Sequence, residues 1–405
     1  MTAERLTYEE FRSALEKERL PCALVNLDAL DRNIAGILSR VEGTGKTVRV
    51  ASKSVRSTYL LRYIADRAGD AAKGLMCFTV EEARFLAGEG FDDLLVAYPS
   101  VRQGDMDILA RLTAEGKAVS LVVDSEAHLE AMGETGRRLG VEVAAVVELD
   151  MAFRRIGGLI HLGARRSPVR NPERVVELHR HAESIGGVRV IGVMGYEAQI
   201  AGLTDANPFT PLFNPVKRIV KAFSLPDVAK RRESLMCLLQ REGIRLDLFN
   251  GGGTGSLETT AAEEAVTEVT VGSGFLCSHL FDYFRGLDLL PAAFFALQVV
   301  RVSDPGFVTC QGGGYVASGE AAPDKLPLPH SPDGLSLIEM EGAGEVQTPL
   351  KLPADAPELR LGDPVLFRHA KAGELAERFN EILLLRNGRI VDRAPTYRGM
   401  GGCFL

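Results

Sequence analysis

Val119-Ser120-Leu121-Val122-Val123-Asp124 is an apolar run that passes directly into Ser125-Glu126-Ala127-His128-Leu129-Glu130-Ala131-Met132. The first stretch has no in–out alternation, which is the pattern of a parallel strand covered on both faces. The second carries apolar residues at three- and four-residue spacing, the period of an amphipathic helix over 125–139. Ser125, just after Asp124, stands where a helix N-cap is expected. The same strand-then-helix unit recurs on both sides. Upstream lie candidate strands at 23–27, 48–52, 74–79 and 93–99, with helical segments at 30–41, 58–68, 80–88 and 106–115; Thr79, three residues before Glu82, is a second N-cap signal. Downstream the candidate strands are 142–150, 188–197 and 245–251. Eight strands in strict alternation with helices, over roughly 250 residues, predict an α/β fold of the (β/α)8 TIM-type barrel class. An open doubly wound sheet shares the alternation, and the count favours the barrel.

Past about Gly274 the rhythm changes. Strands are predicted at 294–302, 306–311, 334–341, 364–369, 381–386 and 389–391, the last two joined by Asn387-Gly388, a preferred two-residue hairpin turn. The predicted organisation is an N-terminal helix packing on the core (1–20), a barrel (21–286) and a β-strand-rich C-terminal domain (287–405). With 46% hydrophobic and 25% charged residues the chain is neither disordered nor fibrous. A net charge of −7 without a basic cluster argues against nucleic acid, and no apolar run approaches the roughly 18 residues a membrane span needs. The first residues alternate acids and bases and lack the apolar core of a signal peptide. Six scattered cysteines suit a reducing compartment. These features predict a cytoplasmic enzyme acting on a small molecule.

In a barrel, chemistry sits where strands end. The strand at 48–52 ends in Ser52-Lys53-Ser54; a lysine there either pairs with a carboxylate or serves as a functional amine able to form a Schiff base with an aldehyde. Glu148-Leu149-Asp150 with Arg154 and Arg155 reads equally as an ion-pair network or as a site. Gly195-Tyr196-Glu197 places a phenol and a carboxylate at the same rim. The strongest local signal is Asn250-Gly251-Gly252-Gly253-Thr254-Gly255-Ser256, where glycine amides can approach an anion and two hydroxyls can donate to it. Gly43-Thr44-Gly45-Lys46-Thr47 ends like a nucleotide-binding loop but precedes a strand instead of following one, so it reads as a turn. Gln311-Gly312-Gly313-Gly314-Tyr315 also reads as a turn. Arg368-His369-Ala370-Lys371-Ala372-Gly373-Glu374 puts several polar groups after a strand, without the spacing of a metal motif. An amine at one strand end and a phosphate cradle at another together imply a phosphorylated aldehyde, and pyridoxal 5′-phosphate fits that description.

Read as a set, Pro21-Cys22-Ala23-Leu24-Val25-Asn26-Leu27, Arg49-Val50-Ala51-Ser52-Lys53-Ser54, Val147-Glu148-Leu149-Asp150 with Arg155, Tyr196-Glu197 and Gly251-Gly252-Gly253-Thr254-Gly255 resemble the D-threonine aldolase and eukaryotic-type D-serine dehydratase family. These are fold-type III pyridoxal-phosphate enzymes with an alanine-racemase-like barrel. The C-terminal stretches Gly344-Glu345-Val346-Gln347-Thr348-Pro349 and Pro395-Thr396-Tyr397-Arg398-Gly399 are similar to the bacterial amino acid deaminase/aldolase subgroup.

The resemblance implies that Lys53 holds the cofactor and exchanges a proton with the substrate. It also implies that Arg155 and Tyr196 lie beside the cofactor, and that Gly252, Gly253, Thr254, Gly255 and Ser256 take its phosphate. A homodimer is implied, each β domain closing its partner's barrel mouth. Metal-dependent relatives follow a C-terminal histidine with a cysteine or aspartate two residues later, whereas here Lys371 follows His369. A divalent metal is thus left open, with His369 the one candidate ligand and Glu374 a second. The departure suggests that the Lys371 ammonium replaces the metal's charge while His369 moves a proton. Ala198-Gln199 stand where relatives have Gly-His, which removes one rim acid or base. The implied activity is that of a lyase splitting a D-β-hydroxy amino acid into an aldehyde and a smaller amino acid. The alternatives are dehydration to a keto acid and ammonia, racemisation with Tyr315 or Tyr397 as second base, and, least favoured, a carrier without turnover.

Overall fold

The chain enters its fold through the helix Tyr8–Leu15 and strand β1 (Cys22–Asn26). The computed structural model describes residues 6–155, 159–319 and 322–405. Eight parallel strands then close a barrel: β2 (Thr47–Ala51), β3 (Ala72–Cys77), β4 (Leu94–Val96), β5 (Val119–Val123), β6 (Val143–Glu148) and, after a small antiparallel hairpin of β7 (Phe153–Arg155) and β8 (Ile160–Leu162), β9 (Val188–Gly195), β10 (Leu248–Gly251) and β11 (Glu268–Val271), which pairs back onto β2. Residues on one face of each strand, such as Val48, Val50, Leu121 and Val123, pack into the main core with the surrounding helices, while Leu95, Val122, Val146 and Met194 form a separate inner cluster. The helix Val80–Gly88 is capped as its sequence predicts, the Glu82 amide donating to Thr79 Oγ1 at 3.1 Å. Ser125 makes no cap bond, and its hydroxyl meets His128 Nδ1 at 2.9 Å instead.

Two strand assignments need correction. Residues 22–26, expected to open the barrel, lie in the second sheet, between β12 (Ala293–Val302) and β18 (Glu381–Arg386). The eighth barrel strand is β11, whose Glu-Val-Thr-Val pattern carries polar residues inward. Glu268 accepts from Arg49 Nε at 2.5 Å and Nη2 at 2.9 Å, and Asn250 Nδ2 donates to both Glu268 Oε1 and Thr270 Oγ1 at 2.7 Å. Arg49 reaches onward to Asp93 Oδ1 at 3.0 Å.

The second sheet has nine strands: with β1, β12 and β18 it holds β13 (Phe307–Gln311), β14 (Leu328–Ser331), β15 (Ser336–Leu337), β16 (Gln347–Lys351), β17 (Pro364–Arg368) and β19 (Arg389–Pro395). Asn387 and Gly388 both take positive φ, 48° and 69°, as a type I′ hairpin turn requires. The strand predicted at 334–341 shrinks to β15, while β14 and β16 were not anticipated. Phe11 and Leu15 of the first helix pack on Leu24 and Phe294 of this sheet. Among the described residues no helix is long and apolar enough to cross a membrane. Removing the carboxylate at the barrel seam leaves the Arg49 guanidinium buried without its main counter-charge. Glu268→Ala is therefore expected to cost roughly 3–5 kcal/mol, read as a fall in the urea midpoint at unchanged slope.

Candidate active site at the barrel mouth

Lys53 owes its position to the end of β2. Ser52–Ser54 form a single 3-10 turn after Ala51, and the lysine amine projects into a cavity of about 770 Å³ at the barrel mouth. Its Nζ donates to Tyr98 Oη at 2.8 Å, just beyond β4. Burial opposes ionisation of the Tyr98 phenol, but the Lys53 ammonium, its hydrogen bond and the Arg166 guanidinium outweigh it, and the phenol's pKa falls below the ordinary value. The turn is braced from behind. A Cβ on Gly373 would overlap the Lys53 carbonyl oxygen, so only glycine fits there, and Arg56 donates to that oxygen at 3.1 Å and to Glu377 at 2.6 Å.

Opposite the lysine, two glycine-bearing loops meet. Gly252 and Gly253 follow β10, and Gly272 with Ser273 follows β11, an edge that the sequence reading missed although Val271-Gly272-Ser273-Gly274 repeats the apolar-strand-then-glycine signal. A Cβ on Gly253 would come 2.9 Å from Ala201 Cβ, and one on Gly272 2.6 Å from Ser54 Oγ. Thr254 Oγ1 accepts from the Gly274 amide at 3.0 Å, which leaves its own hydrogen to donate. The Ser54 and Ser273 hydroxyls are 3.0 Å apart and use one of their two hydrogens on each other, leaving one to donate elsewhere.

Buried Glu197 fixes the first loop. It accepts from Ser256 Oγ at 2.6 Å, Thr260 Oγ1 at 2.5 Å and the Gly252 amide at 3.3 Å, and pairs with fully buried Arg232. Burial alone would raise its pKa; Arg232 and the two hydroxyls reverse this and hold it below the usual carboxylate value. Ser256, predicted to meet phosphate, is thus spent on Glu197 and lies outside the cavity lining. Gly255 is also outside it, because its α-carbon packs against Ala201 and Phe284.

Tyr196 lines the cavity, its pKa pushed up to about 12 by burial and by neighbouring Glu197. The arginine beside it is Arg166, 5.7 Å from the ring centroids of both Tyr98 and Tyr196. Arg155, predicted for this place, is exposed outside the cavity and pairs with Asp227 at 3.2 Å. On the β-domain side Lys371 lines the cavity and donates to Ser318 O at 2.8 Å and Ser318 Oγ at 3.1 Å. Its pKa is lowered: burial favours the neutral amine, Glu374 resists, and Lys325 and Lys53 add repulsion. Glu374 also lines the cavity and accepts from the Ser318 amide at 3.0 Å. His369 is turned into the wall, outside the lining; burial first, then Arg368 and His279, hold its ring neutral with a pKa of about 3. The proton-moving and ligand roles expected of it have no access to the cavity. Among the described residues no cluster of three or more His, Cys, Asp or Glu could hold a metal.

Behind the lysine turn, buried Glu82 accepts from the Phe78 amide at 2.7 Å, and burial raises its pKa to about 7. An acid with a raised folded-state pKa stabilises the fold fully below its ordinary pKa, and that contribution is lost as pH rises through 7. Glu82→Gln should therefore flatten the decline in denaturant midpoint between pH 5 and 8, by at most about 3 kcal/mol.

A model of the alanine racemase N-terminal domain matches residues 25–275. A 3-hydroxy-D-aspartate aldolase of Paracoccus denitrificans is 26% identical over 253 residues, 62% of this chain and 59% of that protein. A D-threo-3-hydroxyaspartate dehydratase of Delftia sp. is 29% identical over 257 residues, 62% of this chain and 60% of that one. The matches span less than two thirds of either relative's length. The solved structure of D-threonine aldolase from Filomicrobium marinum superimposes with a TM-score of 0.79 at 18% identity, covering 94% of this chain and 96% of that one, and so shares the fold. The domain match extends over more than half of the sequence, and the chain belongs to the alanine racemase N-terminal domain family.

Proposed function

We propose that this protein is a pyridoxal 5′-phosphate-dependent lyase acting on D-β-hydroxy amino acids, cleaving them to an aldehyde and a smaller amino acid. One observation carries the reading: a lysine amine and a cradle of glycines with spare hydroxyl hydrogens face each other across one cavity. That donor set suits an aldehyde at one end and a phosphate at the other. Lys53 would hold the aldehyde carbon, Thr254, Ser54 and Ser273 the phosphate, and Tyr196 and Arg166 the ring. Bound there, the cofactor supplies a sink for the electrons of a bond breaking at the substrate's α-carbon.

The remaining steps fall to the chain. In retro-aldol cleavage the β-hydroxyl would pass its proton to the Lys53 amine, the Cα–Cβ bond would break, an aldehyde would depart, and the same amine would return that proton to the α-carbon. With His369 inside the wall, Lys371 is one of the polar groups that the β domain brings to the cavity, with Ser318, Lys325 and Glu374. Its charge, hydrogen-bonded to the Ser318 carbonyl and hydroxyl and supported by nearby Glu374, would polarise the substrate hydroxyl without a metal. A racemase would need a second base, but Tyr397 is buried against Phe85 and Phe404, and Tyr315 packs between Phe295 and Phe379. Dehydration uses the same residues. All six cysteines are unpaired, which suits the reducing compartment expected for such an enzyme.

Purified with saturating cofactor, the protein should show a violet-region absorption band that borohydride abolishes, leaving the added mass on the peptide containing Lys53. A protein without the band, or with the mass elsewhere, refutes the reading. A screen of D-β-hydroxy amino acids scored for aldehyde against keto acid then separates cleavage from dehydration. Lys371→Ala should keep the band and lose at least about 100-fold in kcat, and wild-type turnover should resist chelators. Full turnover in the variant removes Lys371 from the mechanism.

A further inference from the structure

The hydrogen-bond partner of Lys53 is a phenol where a structural lysine would find a carboxylate. Tyr98 Oη accepts from Nζ at 2.8 Å, and the amine also lies 5.4 Å from the centroid of the same ring. A carboxylate would hold the ammonium's proton firmly. A hydroxyl accepts from an ammonium and donates to a neutral amine, so it keeps its bond in both protonation states. The Tyr98 oxygen is also set apart electrostatically. Arg166 lies 5.7 Å from the ring centroids of both Tyr98 and Tyr196, yet the two phenols differ. Burial and Glu197 push the pKa of Tyr196 up to about 12. Burial raises that of Tyr98 too, but Lys53, the hydrogen bond from it and Arg166 bring it below the ordinary value. Glu148 opposes them, its own pKa raised by burial to about 7, and Lys371 is the neighbouring charge on the β-domain side of Lys53.

We propose that Tyr98 is a positioning residue for Lys53: its hydroxyl holds the amine while the amine takes the proton of the substrate's β-hydroxyl and delivers it to the α-carbon. The role refines the lyase reading and rests on it. In the first transfer the substrate's O–H bond breaks and an N–H bond forms, and the resulting ammonium donates to Tyr98 Oη. In the second that N–H bond breaks and a C–H bond forms at the α-carbon. The neutral amine then accepts from the Tyr98 hydroxyl. Tyr98 ends with the proton it began with, so the count closes on Lys53. Lys53 is exposed at the mouth on a flexible four-carbon stem, and a bond that survives both protonation states keeps its nitrogen in place between the transfers.

Competitive acetylation of the full chain freed of cofactor, read by mass on the Lys53 peptide, gives the titration midpoint of the amine without any turnover. Tyr98→Phe keeps the ring beside Nζ and removes the oxygen that supports the ammonium. The midpoint is expected to fall by about one pH unit, roughly tenfold in proton affinity. Coupling is reciprocal, so Lys53→Met should raise the lowest tyrosine midpoint in a near-ultraviolet titration by a similar amount. With cofactor, Tyr98→Phe should keep the borohydride-sensitive band and hold KM within about threefold. It should lose at least about tenfold in kcat, and the acid limb of its kcat profile should move to lower pH by the shift seen in acetylation. Either midpoint unmoved overturns the proposal, as does a Tyr98→Phe enzyme with wild-type kcat and acid limb. If Tyr98→Phe does not fold, the Lys53→Met titration decides. Both midpoint shifts in a protein that never shows the band would refute the lyase reading separately: the coupling of Lys53 to Tyr98 stands and its part in cleavage falls.

Discussion

The buried ion pair between Arg49 and Glu268 sits where the first barrel strand meets the last, and the geometry of the mouth follows from it. Its energetic worth is not the point, because desolvating two charges offsets most of their attraction. What the pair imposes is register. Glu268 lies opposite Thr47 and Val271 opposite Val50, and a slip of one residue would turn the carboxylate out of the interior and a valine into it. With the register fixed, the turn after β2 and the glycine after β11 lie side by side, close enough for Ser54 and Ser273 to share a hydrogen bond. The lysine and one edge of the glycine-lined wall opposite it are thus set by a single seam, on the carboxyl side of the charges that hold it.

The other edge of that wall depends on a second buried charge. The glycines after β10 let the backbone come close, but flexibility alone does not place an amide. Placement comes from Glu197, which gathers the Gly252 amide, Ser256 and Thr260 around one carboxylate, and from Arg232, which holds that carboxylate and the Gly195 carbonyl together. The rim carboxylate therefore works from behind the loop, and the hydroxyls that line the cavity are those of Thr254 and the Ser54–Ser273 pair.

The barrel was legible because buried parallel strands announce themselves as unbroken apolar runs, and Lys53 and the glycine loop because they stand directly after such runs. The errors have physical causes. Strand β1 is buried on both faces in the second sheet just as it would be in the barrel, and its partners lie some 270 and 360 residues away, beyond any local pattern. Strand β11 hid because polar side chains inside the barrel broke the apolar run. Arg166 displaced Arg155 because the β7–β8 hairpin turns the chain back, after which Ser167 bonds the Glu148 carbonyl at 2.6 Å and leaves Arg166 over the two tyrosine rings. Which of several arginines in one stretch reaches a mouth is decided by such a fold-back, and spacing does not encode it.

Charge distribution joins the two halves of the site. The chain as a whole is acidic, yet the cavity lining brings together Lys53, Arg56, Arg166, Lys325 and Lys371, with Glu374 the acid among them. The turn after β2 and the segment after the β7–β8 hairpin supply the first three and the β domain the others, so neither unit alone builds this field. Burial first, with added repulsion from Lys325 and Lys53, lowers the pKa of Lys371, while attraction to Lys53 and Arg166 lowers that of the Tyr98 phenol against its own burial. An anionic ligand relieves the same repulsion. A phosphate in the cradle and a carboxylate on the substrate would each bind partly because the empty arrangement of charges is costly, and the seam at Arg49 and the clamp at Glu197 are what keep that arrangement from relaxing.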